Sequence, residues 1–249
     1  MQKVVIRTAD TDVVVLAVGH FRKFSYLKEL WVEFGTSRNY SLIPAHHIAL
    51  QLGEDKARAL PMFHSITGCD TTSFFTGRGK ITAWKIWRLY PEATSAFLSI
   101  ANNPTEITPE IFSTIERFII LMYDKGSEDT SIKKCRLNLF TKCNRQIQNI
   151  PPTKAALHQH ILRSTNQGGF VWESLEADHV LPSPQLWGWQ WTNDSWKPLW
   201  TTLPEAVLSL TELMRCACKT KAYKTCNCAK AHLPCTVMYL CGGECEAKQ

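Results

Sequence analysis

Apolar residues come in short blocks along the first fifty positions, and the polar residues between them mark the turns. Val4, Val5 and Ile6 make a strand-like run that ends in the polar stretch 8–12, and a second run, Val13 to Val18, follows at once. Six consecutive apolar residues carry no period, so this second run reads equally as strand or helix. Residues 30–34 (LWVEF) and 40–43 read as strands, with Gly35 to Asn39 turning between them into a hairpin. Pro44 suits a first helical position, residues 45–52 continue the helix, and Gly53 stops it. Further helical patterns cover 56–67, 80–89, 109–123, 131–147 and 153–165, the last with Thr153 as N-cap after Pro151-Pro152. A polar, glycine-bearing loop at 68–79 separates two of them. Beyond Gly168-Gly169 the texture shifts to prolines and tryptophans. Trp187, Trp189 and Trp191 alternate as one strand face does, Asn193-Asp194 offers a turn, and a last helix is expected at 204–214.

The pattern predicts an α/β fold with a parallel sheet and helices, a helical extension, and a small cysteine-rich module. The corresponding segments are 1–100, 101–170, 171–210 and 211–249, the third holding the Trp-rich stretch. At 249 residues the chain is long enough for one medium domain and a smaller module. With 45% hydrophobic residues it is a foldable chain, and its longest apolar run is far short of the ~20 residues that span a bilayer, so no membrane partner is expected. The formal net charge of +6 is concentrated. Between Thr71 and Tyr90 stand Arg78, Lys80, Lys85 and Arg88 with no acid; between Ser131 and Trp172 stand seven basic residues and again no acid. Patches of this kind point to polyanions.

Two constellations carry chemistry. Asp10 and Asp12 follow the first strand, and the carboxyl ends of parallel strands are where ligands gather. Asp70 sits at a similar junction, in SITGCDTT. Three carboxylates on one point would suit Mg²⁺, a hard ion that takes oxygen ligands. Loop-capping roles for the same aspartates are the competing reading. The second constellation is C-x-C-x7-C-x-C-x6-C-x5-C-x3-C, comprising Cys216, Cys218, Cys226, Cys228, Cys235, Cys241 and Cys245. Thiolates at such close spacing suit Zn²⁺, and the interleaved lysines lower thiolate pKa values. The tryptophans read as core packing, His46, His47 and His64 as structural, and Cys69 and Cys135 as small buried residues. The basic face from Lys133 to Arg145 is a second candidate polyanion surface.

The segments RTADTDVVVLAV, IPAHHIALQLG and PMFHSITGCDTTSFFTGRGKITAWKIW together resemble the second half of a flap-endonuclease (XPG-like) PIN domain. The resemblance spans roughly the first 90 residues. It implies that Asp10, Asp12 and Asp70 are catalytic Mg²⁺ ligands. It also implies that the turn Gly77, Arg78, Gly79 and Lys80, with Lys85, holds a DNA phosphate through backbone amides and positive charge. In that family proline is usual where Lys80 stands here, and the opening strand with further carboxylates precedes the acidic segment. The chain is therefore expected to carry an incomplete site, as a fragment or as a nuclease that lost its front. The tail is similar to the CXC module of tesmin-like and chromatin proteins, implying Zn²⁺, DNA binding and a nuclear location. A similar arrangement occurs in mobile-element-associated proteins of invertebrates. The competing reading is a non-enzymatic zinc-dependent DNA- or protein-binding module.

Overall fold

The computed structural model describes residues 2–36, 39–141, 149–174 and 180–203. The chain separates into two compact units, Met1–Thr202 and Leu203–Gln249. The seven tail cysteines and the helix expected at 204–214 lie outside the described residues, as does Cys143.

The first unit is mixed α/β. Strand β1 (Gln2–Thr8) pairs parallel with β2 (Leu27–Thr36), and β2 pairs antiparallel with β3 (Asn39–Pro44). Helix α1 (Thr11–His20) makes the crossover that parallel neighbours require. The ambiguous run Val13 to Val18 is thus helical, despite its β-branched residues. The local cause is Asp10, whose backbone is extended and whose carboxylate accepts the Asp12 N–H at 2.8 Å. That N-cap satisfies an otherwise orphan amide and sets where the helix begins. Helix α2 (Ala45–Leu52) and α3 (Glu54–Ile66) follow the hairpin, with Gly53 at φ +80° between them. Leu30 and Val32 of β2 pack on Ala17, Val18, Ala45, Ala49 and Ala57 to form the sheet-side core.

Helix α3 carries Pro61, whose missing N–H leaves the Ala57 carbonyl without its usual partner. Gly19 of α1 faces this break, and a Cβ placed on it would stand 2.6 Å from Pro61 Cγ. The pair lets two helices approach more closely than side chains would allow.

The second core is helical. Helices α4 (Lys80–Leu89), α5 (Glu92–Asn102), α6 (Pro109–Tyr123), α7 (Ile132–Thr141) and α8 (Lys154–Thr165) gather round Trp87. Phe63 stacks on Trp87 at 4.5 Å, and Phe97 meets it edge-on at 5.6 Å. Each such geometry adds about 0.5–1.5 kcal/mol beyond burial. This core runs continuously from Ala59 to Ile161. Helix α5 has no counterpart in the pattern reading. Its apolar positions are spread through EATSAFLSIAN with small residues among them, and its fit against α3 and α6 decides it. Cys135 packs inward as expected, while Cys69 is only half-buried, its thiol 3.2 Å from the Thr72 hydroxyl.

After α8 the chain tightens into a π-helical turn, Asn166–Val171, where Gly168 lies against Met62 and Gly169 against Pro104. A 3-10 turn (Pro184–Trp187) then leads to the hairpin of β4 (Trp189–Thr192) and β5 (Ser195–Pro198). Asn193 and Asp194 both take positive φ, as a two-residue hairpin turn demands. Only Trp187 of this tryptophan group is buried; Trp191, Trp196 and Trp200 are exposed. The expectation of core packing is corrected for those three: among the described residues no second layer covers the face of the two-stranded hairpin that carries Trp191 and Trp196, and Trp200 lies just past its end.

Candidate functional site

The acidic corner is built by the β1–α1 junction and the C-terminal end of α3. Asp10 is exposed and committed to capping α1, and its own N–H is held by the Thr8 hydroxyl at 3.0 Å. Asp12, in the first helical turn, points to α3, where its Oδ1 lies 2.8 Å from His64 Nε2. Burial, then the neighbouring Lys80 charge, lowers the His64 pKa, and Asp12 and Asp10 only partly offset this. A neutral His64 therefore donates its Nε2–H to the carboxylate.

Lys80 comes to the same corner from α4. Its ammonium donates to the carbonyls of His64 and Gly68 and to the Thr67 hydroxyl, the contact to His64 being 3.0 Å long. The His64 carbonyl is one of the acceptors without an intrahelical partner in the last turn of α3, where a cation also meets the negative end of the helix dipole. Burial pulls the Lys80 pKa down to about 8. Lys80 thus holds α3 and α4 together, and its charge is spent on protein oxygens.

Asp70 is exposed on the tight turn 69–72, in which Thr72 N–H donates to the Cys69 carbonyl. The structure brings Asp10, Asp12, His64 and Lys80 to one corner. Among the described residues no three His, Cys, Asp or Glu side chains are gathered closely enough to hold a metal ion. As placed, the donor set of Asp10, Asp12 and Asp70 does not fit Mg²⁺: one carboxylate caps a helix, one is bonded to an imidazole, and one stands apart on a turn.

The glycine turn is a second, separate feature. Arg78 N–H donates to the Phe75 carbonyl at 2.9 Å, closing a turn whose Gly77 has φ +68°. Gly79 is the N-cap of α4 and brings no side chain to cap it. No side chain caps the first amides of α4, and a Cβ at Gly77 or Gly79 would meet nothing within 4 Å. Arg78 lies over the Tyr123 ring at 5.1 Å, with its Nε buried and unpartnered among the described residues. Lys85 and Arg88 are exposed further along the helix. On the other basic stretch, Lys134 pairs with Asp129 at 3.3 Å and Arg136 donates to the Pro151 carbonyl, so part of that charge is used internally.

The residues that the sequence hid are those joined over long separations. His64 was visible only as a structural histidine, and its partner is 52 positions away. Ser73 and His160, 87 positions apart, meet at 3.3 Å with no local signal at all. No family model matches the chain, no curated protein is significantly similar to it, and no solved structure matches its fold.

Proposed function

We propose that this chain is a nucleic-acid-binding protein on a scaffold derived from a Mg²⁺-dependent, structure-specific endonuclease, and that it binds rather than cuts. One observation carries the binding reading. The Gly77–Lys80 turn leaves the α4 amides without a side-chain cap, with open space at Gly77 and Gly79, Arg78 beside them, and Lys85 and Arg88 following on the helix. Free N–H groups at a helix start, joined to positive charge, suit a phosphate oxygen. Such contacts read no base and apply to any strand. The Asp12–His64 bond and the N-cap duty of Asp10 support binding without cleavage, since both carboxylates already have protein partners. The tail cysteines Cys216 to Cys245 would hold Zn²⁺ and add phosphate contacts through their neighbouring lysines, in keeping with a nuclear role.

The test is anisotropy of labelled flap DNA with the full chain. If Arg78, Lys85 and Arg88 each neutralise a phosphate, affinity falls roughly 40-fold between ~50 and ~200 mM salt, and the Arg78→Ala/Lys85→Ala variant flattens that slope. Affinity indifferent to salt refutes the reading. Adding Mg²⁺ to the same samples decides on cleavage. Wild type and Asp70→Ala are expected to leave the strand equally intact; scission by wild type that disappears in Asp70→Ala would restore the enzyme.

A further inference from the structure

The loop that ends in the glycine turn also lines the wall of a cavity of about 200 Å³. Ser73, Phe74, Phe75 and Thr76 form one side, and Tyr123, His160, Arg163 and Trp200 complete the floor and rim. We infer that this cavity receives a single unstacked base of the nucleic acid whose backbone the adjoining turn holds. The inference rests on the binding reading above and names what that site takes.

Size comes first. Pockets for drug-sized ligands run to ~300–1,000 Å³, so this one suits a single ring system. The rim is aromatic and open: Phe74 is 76% exposed and Trp200 60%, so both rings are accessible for stacking. Base stacking on aromatic side chains tolerates any sequence, because every base has a π-face.

The rim is also held in place. Arg163 is 3% exposed, and its Nη1 donates to the Leu199 carbonyl at 2.7 Å and the Gly188 carbonyl at 3.1 Å. Its guanidinium lies 5.3 Å from the Trp200 ring, so the residue that fixes the backbone beside Trp200 also supports its face. On the opposite wall, His160 Nε2–H donates to the Ile66 carbonyl at 2.8 Å. Its Nδ1 is then an acceptor, and the Ser73 hydroxyl donates to it at 3.3 Å. This leaves the Ser73 oxygen as an acceptor at the cavity wall, matched to an amide or exocyclic N–H on a base edge.

Continuity with the phosphate turn supplies the partner. Phe75 and Arg78 are bonded across one turn, and Arg78 covers the Tyr123 ring that lines the cavity. Residues 71–90 hold four basic residues and no acid, so the chain entering here is a polyanion. A free aromatic peptide would gain nothing from that charge.

The experiment titrates the full chain with two labelled probes of equal length, a single-stranded oligothymidine and a wholly abasic strand. Trp200→Ala and Phe74→Ala remove exposed side chains, and urea midpoints matching wild type confirm that the fold is kept. The expected result is a roughly 5- to 100-fold loss of oligothymidine affinity in each variant, with abasic binding unchanged. Equal wild-type affinity for both probes, insensitive to Trp200→Ala, overturns the base pocket and leaves backbone binding intact. Failure of wild type to bind either probe overturns both readings. Binding of N-acetyltryptophanamide that is lost in Trp200→Ala, while oligothymidine affinity is unaffected, overturns it in favour of a peptide ligand.

Discussion

Replacing His160 with glutamine should remove much of the acid sensitivity of the first unit. His160 is buried on α8, and burial above all lowers its pKa from 6.5 to about 4. Between those values the unfolded chain holds a proton that the folded chain does not. Stability is therefore full above about pH 6.5 and falls as the pH drops toward 4. At ~1.4 kcal/mol for each tenfold change in proton affinity, the loss is on the order of 2–3 kcal/mol by pH ~4.5. His20 and His64 are lowered in the same direction by burial, so wild type should lose more than this single share. His160→Gln keeps an N–H for the Ile66 carbonyl but has no proton to gain. The assay is urea unfolding followed by tryptophan fluorescence at pH ~7 and ~4.5. All nine tryptophans precede residue 203, so the signal reports the first unit alone. The variant should be somewhat less stable at neutral pH and lose roughly 2–3 kcal/mol less on acidification. Parallel stability-versus-pH curves for the two proteins would refute the argument.

The remaining predictions concern single contacts, each read by the same unfolding assay. Gly19→Ala drives a methyl into Pro61 and should cost about 1–3 kcal/mol, as overpacking does; no loss would mean the helices can part freely. Lys80→Met removes a donor shared by three oxygens at the end of α3 and should cost about 1–3 kcal/mol near neutral pH. Because the folded-state pKa of Lys80 is depressed to about 8, wild type should gain stability from pH 8 toward 10.5, and the variant should lack that gain. Glu116→Ala takes the buried carboxylate from the Ile132 N–H, a bond of 2.7 Å that starts α7, and should cost about 2 kcal/mol, while Glu116→Gln should cost less.

The elements that could be read from the sequence are those whose boundaries are chemically marked nearby. Thr153 caps α8 by accepting the Ala156 N–H at 3.2 Å, and Thr108 does the same for α6 by accepting Ile111 N–H at 3.3 Å. Both helices run where the pattern places them. Val13 to Val18 stayed open because an all-apolar run has no period; the answer lay in Asp10, three residues before it. Helix α5 was missed because alanine and serine dilute its apolar stripe, and only packing against larger neighbours reveals which face is inside. The acidic corner was half legible. The aspartates announce themselves, but that Asp12 is bonded to His64, and that Lys80 caps α3, follows from the crossing of helices far apart in sequence. The exposed tryptophans erred in the other direction, since period-two spacing gives a strand a face without saying whether anything covers it.

Strand β1 does more than deliver Asp10 to its corner. Among the described residues it pairs on one side only, with β2. Its charged side chains, Lys3 and Arg7, reach sideways to Glu29 at 3.8 Å and Glu33 at 3.4 Å. Charges that elsewhere repel a stray strand from a sheet margin are here partly cancelled by their own neighbour. What the margin presents is a row of unused amides and carbonyls backed by the exposed Val4 and Val5. Such an edge is a template for pairing with another chain, and it belongs to the strand that leads into the acidic corner. A lysine placed at Val5 to keep preparations monodisperse would enter the strand that positions Asp10 and Asp12, making solubility and site geometry properties to be measured together.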